Sequence, residues 1–535
     1  MSSFAMLSWI QKFVNRFVAP AVLSLTAVAA SAEVTPFKLA LAEAASDDAA
    51  IAEFYRTRGF EPIFTGSGDL ERRAALLEAL ESVERHGLPL ERYDSRRLMA
   101  AFEQVQTPSD RGRAEFLAAQ MFVRFARDLQ SGILEPRKVD AGIVREINRP
   151  VPHDLLTDLA AGEAKSFFRE IAPQTPEYAR LMKEKLRLER VVLRGGWGSK
   201  VEAKALEPGD SGEFVVQLRD RLVALGYLRR SASTLYDGEI QRAVRQFQTD
   251  HGLETDGVAG QTTITMLNVS AQTRLQQVVV AMERERWTNF ERGDRHVLVN
   301  ITDYTAAIID DGKVTYRTRS VVGANDSDRR TPEFSDVMEH LVVNPTWNVP
   351  YSIATKEYLP KLQRNPHAVS HLRVIDRRGR VVNRSSVNFA QYSRRNFPFS
   401  IKQPPGARNA LGLVKFMFPN KYNIYLHDTP AKDLFSRETR AYSHGCIRLN
   451  DPFDFAYALL AKQSDDPVGL FKSKLNSGRE SRINLEQHVP VHLIYRTAVA
   501  PAKGRVNYRR DVYGRDARIF EALSRAGVAL PVAGS

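Results

Sequence analysis

Ser443-His444-Gly445-Cys446-Ile447-Arg448 is the stretch on which the reading of this chain turns. Cys446 is the only cysteine in 535 residues. A lone cysteine closes no internal disulfide, so its thiol needs another reason to be there. Thiolate is the nucleophilic form, and it needs a base or a positive charge nearby. His444 and Arg448, two positions to either side, supply an imidazole and a fixed charge. Gly445 leaves out a Cβ and lets a substrate approach the backbone. Backbone N–H groups around Gly445 and Cys446 can then form an oxyanion hole, with Ser443 contributing through the shape of the loop.

Upstream, Ile424-Tyr425-Leu426-His427-Asp428-Thr429-Pro430 reads as an apolar strand ending at a turn. His427 falls at the strand end, where scaffolds commonly present reactive groups. The order histidine-then-cysteine is the reverse of the papain-like arrangement. Asp428 is either an orienting group for His427 or a turn residue with Thr429-Pro430. Tyr425 and Trp347 are candidate pocket aromatics, with strand core as the default for each.

His427 followed by Ser-His-Gly-Cys-Ile-Arg-Leu resembles the catalytic signature of the L,D-transpeptidases, the YkuD-type domain. Arg330-Thr331-Pro332-Glu333-Phe334-Ser335, Asn344-Pro345-Thr346-Trp347-Asn348-Val349-Pro350 and Pro405-Gly406-Ala407-Arg408-Asn409-Ala410-Leu411-Gly412 extend the likeness to the large periplasmic, YcbB-like subgroup. That resemblance implies an α+β multidomain protein. Its parts are a helical scaffold domain, a three-helix peptidoglycan-binding module, and a mostly antiparallel β catalytic domain with a helical lid insertion. It implies Cys446 as nucleophile and His427 as proton donor and acceptor, with His444, Gly445, Ser443 and Arg448 in support. The implied reaction joins third-position, commonly diaminopimelate, residues of two peptidoglycan stem peptides through a thioester and releases D-alanine. No cofactor and no metal are implied. Alternatives are a hydrolase or carboxypeptidase of the same fold, a lipoprotein-attaching transpeptidase, and a non-catalytic peptidoglycan-binding protein.

Composition agrees with a soluble, multidomain chain: 43% hydrophobic and 26% charged residues, with a net charge of +13. A basic surface suits an acidic polymer or an anionic membrane face. No zinc-finger, helix-turn-helix or RNA-binding signature points to nucleic acid. The remaining histidines show no metal-ligand spacing.

Taken in order, residues 1–32 read as an export signal. Lys12 and Arg16 precede an apolar run from Phe17 to Ala30, and Ala30-Ser31-Ala32 forms a cleavage site. The expected location is the periplasm, with membrane contact only through this segment if it is retained. Residues 47–194 carry helical stripes such as Ala74, Leu77, Leu80 and Val83. Residues 208–270 form a compact unit whose helices open at an Asp210/Glu213 capping box and at Asp237, and whose Gly226-Tyr227-Leu228 and Asp256-Gly257-Val258-Ala259-Gly260 resemble the binding module. Residues 271–292 read as a connecting helix. Residues 293–498 read as the β domain, with a hairpin turn at Asp310-Asp311-Gly312-Lys313, strand candidates at 341–344, 422–426 and 489–495, and a lid-like insertion over 351–397. Residues 499–535 read as a basic, solvated extension without a role.

Overall fold

A computed structural model describes residues 34–532. The export segment expected at 1–32 lies outside the described residues. From Pro36 to Leu193 the chain is helical. The stripe around Leu76, Ala79 and Leu80 stops at Gly87, whose φ of +65° suits a residue without a Cβ. The long helix Pro108–Ser131 opens on a capping box in which Thr107 Oγ1 accepts from the Asp110 N–H at 3.1 Å and Asp110 answers at the Thr107 N–H. Its buried face, with Ala118, Phe122, Phe125 and Leu129, anchors one continuous apolar core.

A three-helix unit follows, Glu213–Ala224, Gly238–His251 and Gln261–Leu267, around Leu218, Leu222, Val244, Phe247 and Ile264. Asp237 caps the second helix by accepting from the Glu239 and Ile240 N–H groups. The Asp210/Glu213 capping box does not form. Gly212, at φ +107°, is the N-cap, and Asp210 instead accepts from the Glu207 N–H at 2.8 Å.

The connecting helix Ala271–Trp287 is buried along most of its length, charges included. Arg284 pairs with Glu333 at 2.6 Å and with Asp516 at 3.2 Å, and Arg286 with Glu283 at 2.8 Å. Buried ions are tolerable only with such partners.

The β domain contains strands β1 (Arg295–Asn300), β2 (Thr305–Asp310), β3 (Lys313–Gly323), β4 (Phe334–Val343), β5 (Trp347–Asn348), β6 (Arg373–Ile375), β7 (Ser400–Gln403), β8 (Val414–Met417), β9 (Leu426–His427), β10 (Ala441–Ser443), β11 (Ile447–Leu449) and β12 (Ser481–Ile494). Nine of them form one sheet in the order β10-β3-β11-β9-β8-β4-β12-β1-β2, and β2 pairs back onto β3 to close a ring. Most pairs are antiparallel; β1 with β12, β10 with β3 and β11 with β9 are parallel. Asp311-Gly312 joins β2 to β3 with both residues at positive φ, the twist a two-residue hairpin needs. The strand expected over 422–426 shrinks to Leu426–His427. Asn423 sits at φ +55° and the Asn420 side chain bonds to the Tyr422 and Ile424 N–H groups, which makes 420–424 a turn. Val343, Phe416, Leu426, Ile447 and Phe455 lie at the centre of the core.

The insertion folds together with the strands that flank it. Strands β5, β7 and β6 make a small sheet over its own core of Ile353, Leu359, Leu362, Val374, Phe389 and Ile401.

The expectation of a solvated C-terminal extension fails. Ala498–Val499 (β13) pairs with Asn507–Tyr508 (β14), and the helix Arg515–Arg525 buries Ile519 and Leu523. Arg515 is fully buried because Glu333 and the Thr331 carbonyl receive its charge. Isolated arginines look solvent-loving in a sequence; partners distant in the chain make them buried.

Candidate active site

Strands β9 and β11 run parallel, with Leu426 opposite Ile447 and His427 opposite Arg448. Strand alternation then puts Tyr425, His427, Cys446 and Arg448 on one face. Lys415 of β8, the register partner of His427 on its other side, joins them. All five line a cleft of about 860 Å³. Its opposite wall comes from the insertion and the strand before it, through Trp347, Tyr351, Glu357 and Tyr358. Cys446 and His427 are therefore diagonal neighbours across one strand pair.

Cys446 is half-buried and its thiol donates to the Asn423 carbonyl at 3.4 Å. Burial pushes the thiol up to about 11, against opposing pulls from Tyr425, Arg448 and Lys415. His427 is buried, and burial together with the Arg448 charge lowers its imidazole to about 3. At neutral pH the resting pair is a thiol and an uncharged imidazole. His427 Nδ1 faces the Asp428 carbonyl. A carbonyl only accepts, so Nδ1 carries the proton and Nε2 keeps its lone pair, as a general base requires.

The remaining residues divide. Asp428 orients His427 through its backbone carbonyl; its carboxylate turns away to the Leu413 N–H at 2.9 Å and the Lys432 ammonium at 2.8 Å. His444 does not reach the sulfur. Its Nε2 meets Glu357 of the insertion at 2.5 Å, and Arg329 reaches the same carboxylate at 2.9 Å. Arg448 lines the cleft and forms no ion pair among the described residues. Ser443 is buried, donates to the Cys446 carbonyl and accepts from the Gly445 N–H at 3.1 Å. Gly445 lies at φ +110°, and a Cβ there would meet Ile424 Cδ1 at 3.0 Å. Tyr425 and Trp347, for which strand core was the default, both face the cleft.

Sequence reasoning missed Lys415 and Glu357. Lys415 alternates with the buried Val414 and Phe416, a pattern that marks a cleft-facing position once the strand is placed. Glu357 carries no local signal, since its partner His444 is 87 positions away. Among the described residues no group of histidine, cysteine and carboxylate side chains could hold a metal ion, and no helix is long and apolar enough to cross a membrane.

Residues 294–468 match the model of the L,D-transpeptidase catalytic domain. Residues 49–184 match a scaffold domain, and 211–267 match a "Putative peptidoglycan binding domain". A Haemophilus influenzae protein described as "Putative L,D-transpeptidase" is 32% identical over 242 residues, 45% of this chain and 48% of the relative. A spore cortex-lytic enzyme of Oceanobacillus iheyensis is 30% identical over 94 residues, 17% of this chain and 34% of that protein. The chain thus spans half or less of the length of these curated relatives. A solved L,D-transpeptidase structure from Stackebrandtia nassauensis covers 56% of this chain and 97% of its own, at 15% identity and a TM-score of 0.21.

Proposed function

We propose, from the premise that this chain is built around an L,D-transpeptidase catalytic domain behind scaffold and peptidoglycan-binding domains, that it cross-links peptidoglycan stem peptides by a cysteine thioester. The observation that carries the reading is the diagonal placement of Cys446 and His427 on one face of the cleft.

His427 Nε2 takes the thiol proton as the Cys446 sulfur attacks the carbonyl of the third, diaminopimelate residue of a donor stem. The tetrahedral oxyanion rests on the backbone N–H of Cys446, since Ser443 Oγ already holds the Gly445 N–H at 3.1 Å. The carbon–nitrogen bond breaks, D-alanine leaves with the proton held by His427, and a thioester remains. The side-chain amine of a second stem attacks this thioester, gives a proton to His427, and restores the thiol. The broken peptide bond supplies the acyl group, so no nucleotide is consumed. A neutral resting pair fits this scheme: proton transfer accompanies attack instead of preceding it. Arg448 and Lys415 favour the negative sulfur as it forms and suit stem carboxylates. The substrate places the work outside the cytoplasm, in the periplasm if residues 1–32 act as an export signal.

Mass spectrometry of wall digests from cells with and without the protein tests this. Stems joined through two third-position residues, lost in Cys446→Ala, support it. Shortened stems alone mean that water is the acceptor, and a lipoprotein joined to the wall means a lysine acceptor. Full complementation by Cys446→Ala means binding without catalysis. Intact-mass measurement after carbapenem exposure checks the nucleophile separately, by an adduct on Cys446.

A further inference from the structure

We infer that Thr331 is a positioning residue for the acyl-transfer step, aiming the Cys446 N–H into the cleft, and that Tyr513 and Arg515 of the C-terminal segment hold Thr331 in that role. The inference rests on the function proposed above.

A trans peptide is planar, with its C=O and N–H pointing to opposite sides. The peptide between Gly445 and Cys446 is fixed at its oxygen: Thr331 Oγ1 donates to the Gly445 carbonyl at 2.8 Å. Its N–H therefore points away from Thr331. Both neighbours of that N–H are occupied, the Gly445 N–H by Ser443 Oγ at 3.1 Å and the Ile447 N–H by the Tyr425 carbonyl at 3.1 Å. Among the described residues the Cys446 N–H has no acceptor. A free backbone donor beside a half-exposed sulfur is what an oxyanion needs.

The direction of the Thr331 bond is determined. Its hydroxyl accepts from the Gly323 N–H at 2.9 Å, so its single proton goes to Gly445. Thr331 is fully buried, and flipping the peptide would strand that proton away from water. Its backbone is held from the C-terminal segment. The Tyr513 hydroxyl donates to the Gly323 carbonyl at 2.6 Å and accepts from the Thr331 N–H at 3.3 Å. Arg515 donates to the Thr331 carbonyl at 3.1 Å and to Glu333 at 3.1 Å. Close approach is built in, because a Cβ on Gly323 would meet the Arg329 carbonyl at 2.0 Å.

Two probes of the full chain separate positioning from general support. A carbapenem acylates through a tetrahedral oxyanion; iodoacetamide alkylates the same sulfur by displacement at carbon, with no oxyanion. Thr331→Val is expected to slow acylation about 10- to 100-fold, the range approaching loss of one oxyanion donor, with alkylation within about twofold of wild type. Thr331→Ser, which keeps the hydroxyl, restores acylation. Tyr513→Phe shows a smaller slowing with the same selectivity, and decides the matter if Thr331→Val fails to fold. Equal loss of both reactions, or unchanged acylation in these variants, overturns the inference. A wild-type protein that is alkylated but takes no acyl adduct sinks the functional reading first, and this one with it.

Discussion

The guanidinium of Arg448 and the imidazole of His427 belong to register partners of a parallel strand pair; burial keeps the ring uncharged, and the Arg448 charge reinforces it. A cation beside a buried ring raises the cost of protonating it. The same charge favours the Cys446 thiolate. One residue thus biases both members of the reacting pair towards the forms that acyl transfer requires. Arg448→Gln is expected to slow iodoacetamide alkylation at pH 8 by roughly tenfold, the effect of about one unit in the thiol. An unchanged rate would remove Arg448 from the electrostatics of the site.

A resting thiol held up to about 11 has a distinct pH signature. Alkylation of the free protein should climb about tenfold per pH unit from 7 to 10, following the thiolate fraction. A plateau between pH 5 and 8 would reveal a preformed thiolate–imidazolium pair instead.

The contact of Glu357 with His444 and Arg329 ties the insertion to the loop that bears the cysteine. Glu357→Gln is expected to increase amide exchange over residues 351–364 while global stability changes by less than about 1 kcal/mol, since the groups are partly exposed. Exchange equal to wild type would show that the insertion's own packing keeps it in place.

Buried neutral histidines should make the fold acid-sensitive. His86 and His492 are lowered to about 4 and His427 to about 3, in each case chiefly by burial. The unfolded chain takes up these protons near pH 6.5, before the folded one does. Their contribution is therefore fully present above about pH 6.5 and is lost as pH falls towards 4, by up to about 1.4 kcal/mol per unit for each ring. Melting temperatures from pH 7.5 to 4.5 check this. His492→Gln should flatten the fall, because it removes one ring while leaving a group able to reach Ser335 Oγ, its partner at 2.8 Å. An equally steep fall in the variant would assign the acid sensitivity to other groups.

Local signals made much of this molecule readable. The Asp311-Gly312 hairpin turn, the Asp237 cap and the helical stripes rest on contacts within a few residues, and sequence pattern reports those well. Cys446 stood out by being alone, and His427 by ending an apolar run. Most failures came where distant chain segments decide. One was local: Asp210 had the composition of a cap, yet Gly212 set the start of the helix by its backbone conformation. Arg515 looked solvated because its partners Glu333 and Thr331 lie 182 and 184 positions away. His444 sits two positions from the sulfur in sequence, and the loop turns its ring towards the insertion.

The segment from Arg505 to Gly527 touches three parts of the molecule: Arg505 meets the Gly226 carbonyl of the three-helix unit, Tyr508 meets Glu184 of the helical region at 2.9 Å, and Tyr513 meets the Gly323 carbonyl of β3. Synthesis runs from the N-terminus, so this clasp emerges after the three parts it joins. The Arg284–Glu333 pair can form earlier, but the contacts of Arg505, Tyr508 and Tyr513 have to wait for this segment. Proteolytic removal of this segment would strip those three contacts at once while leaving the Arg284–Glu333 pair in place.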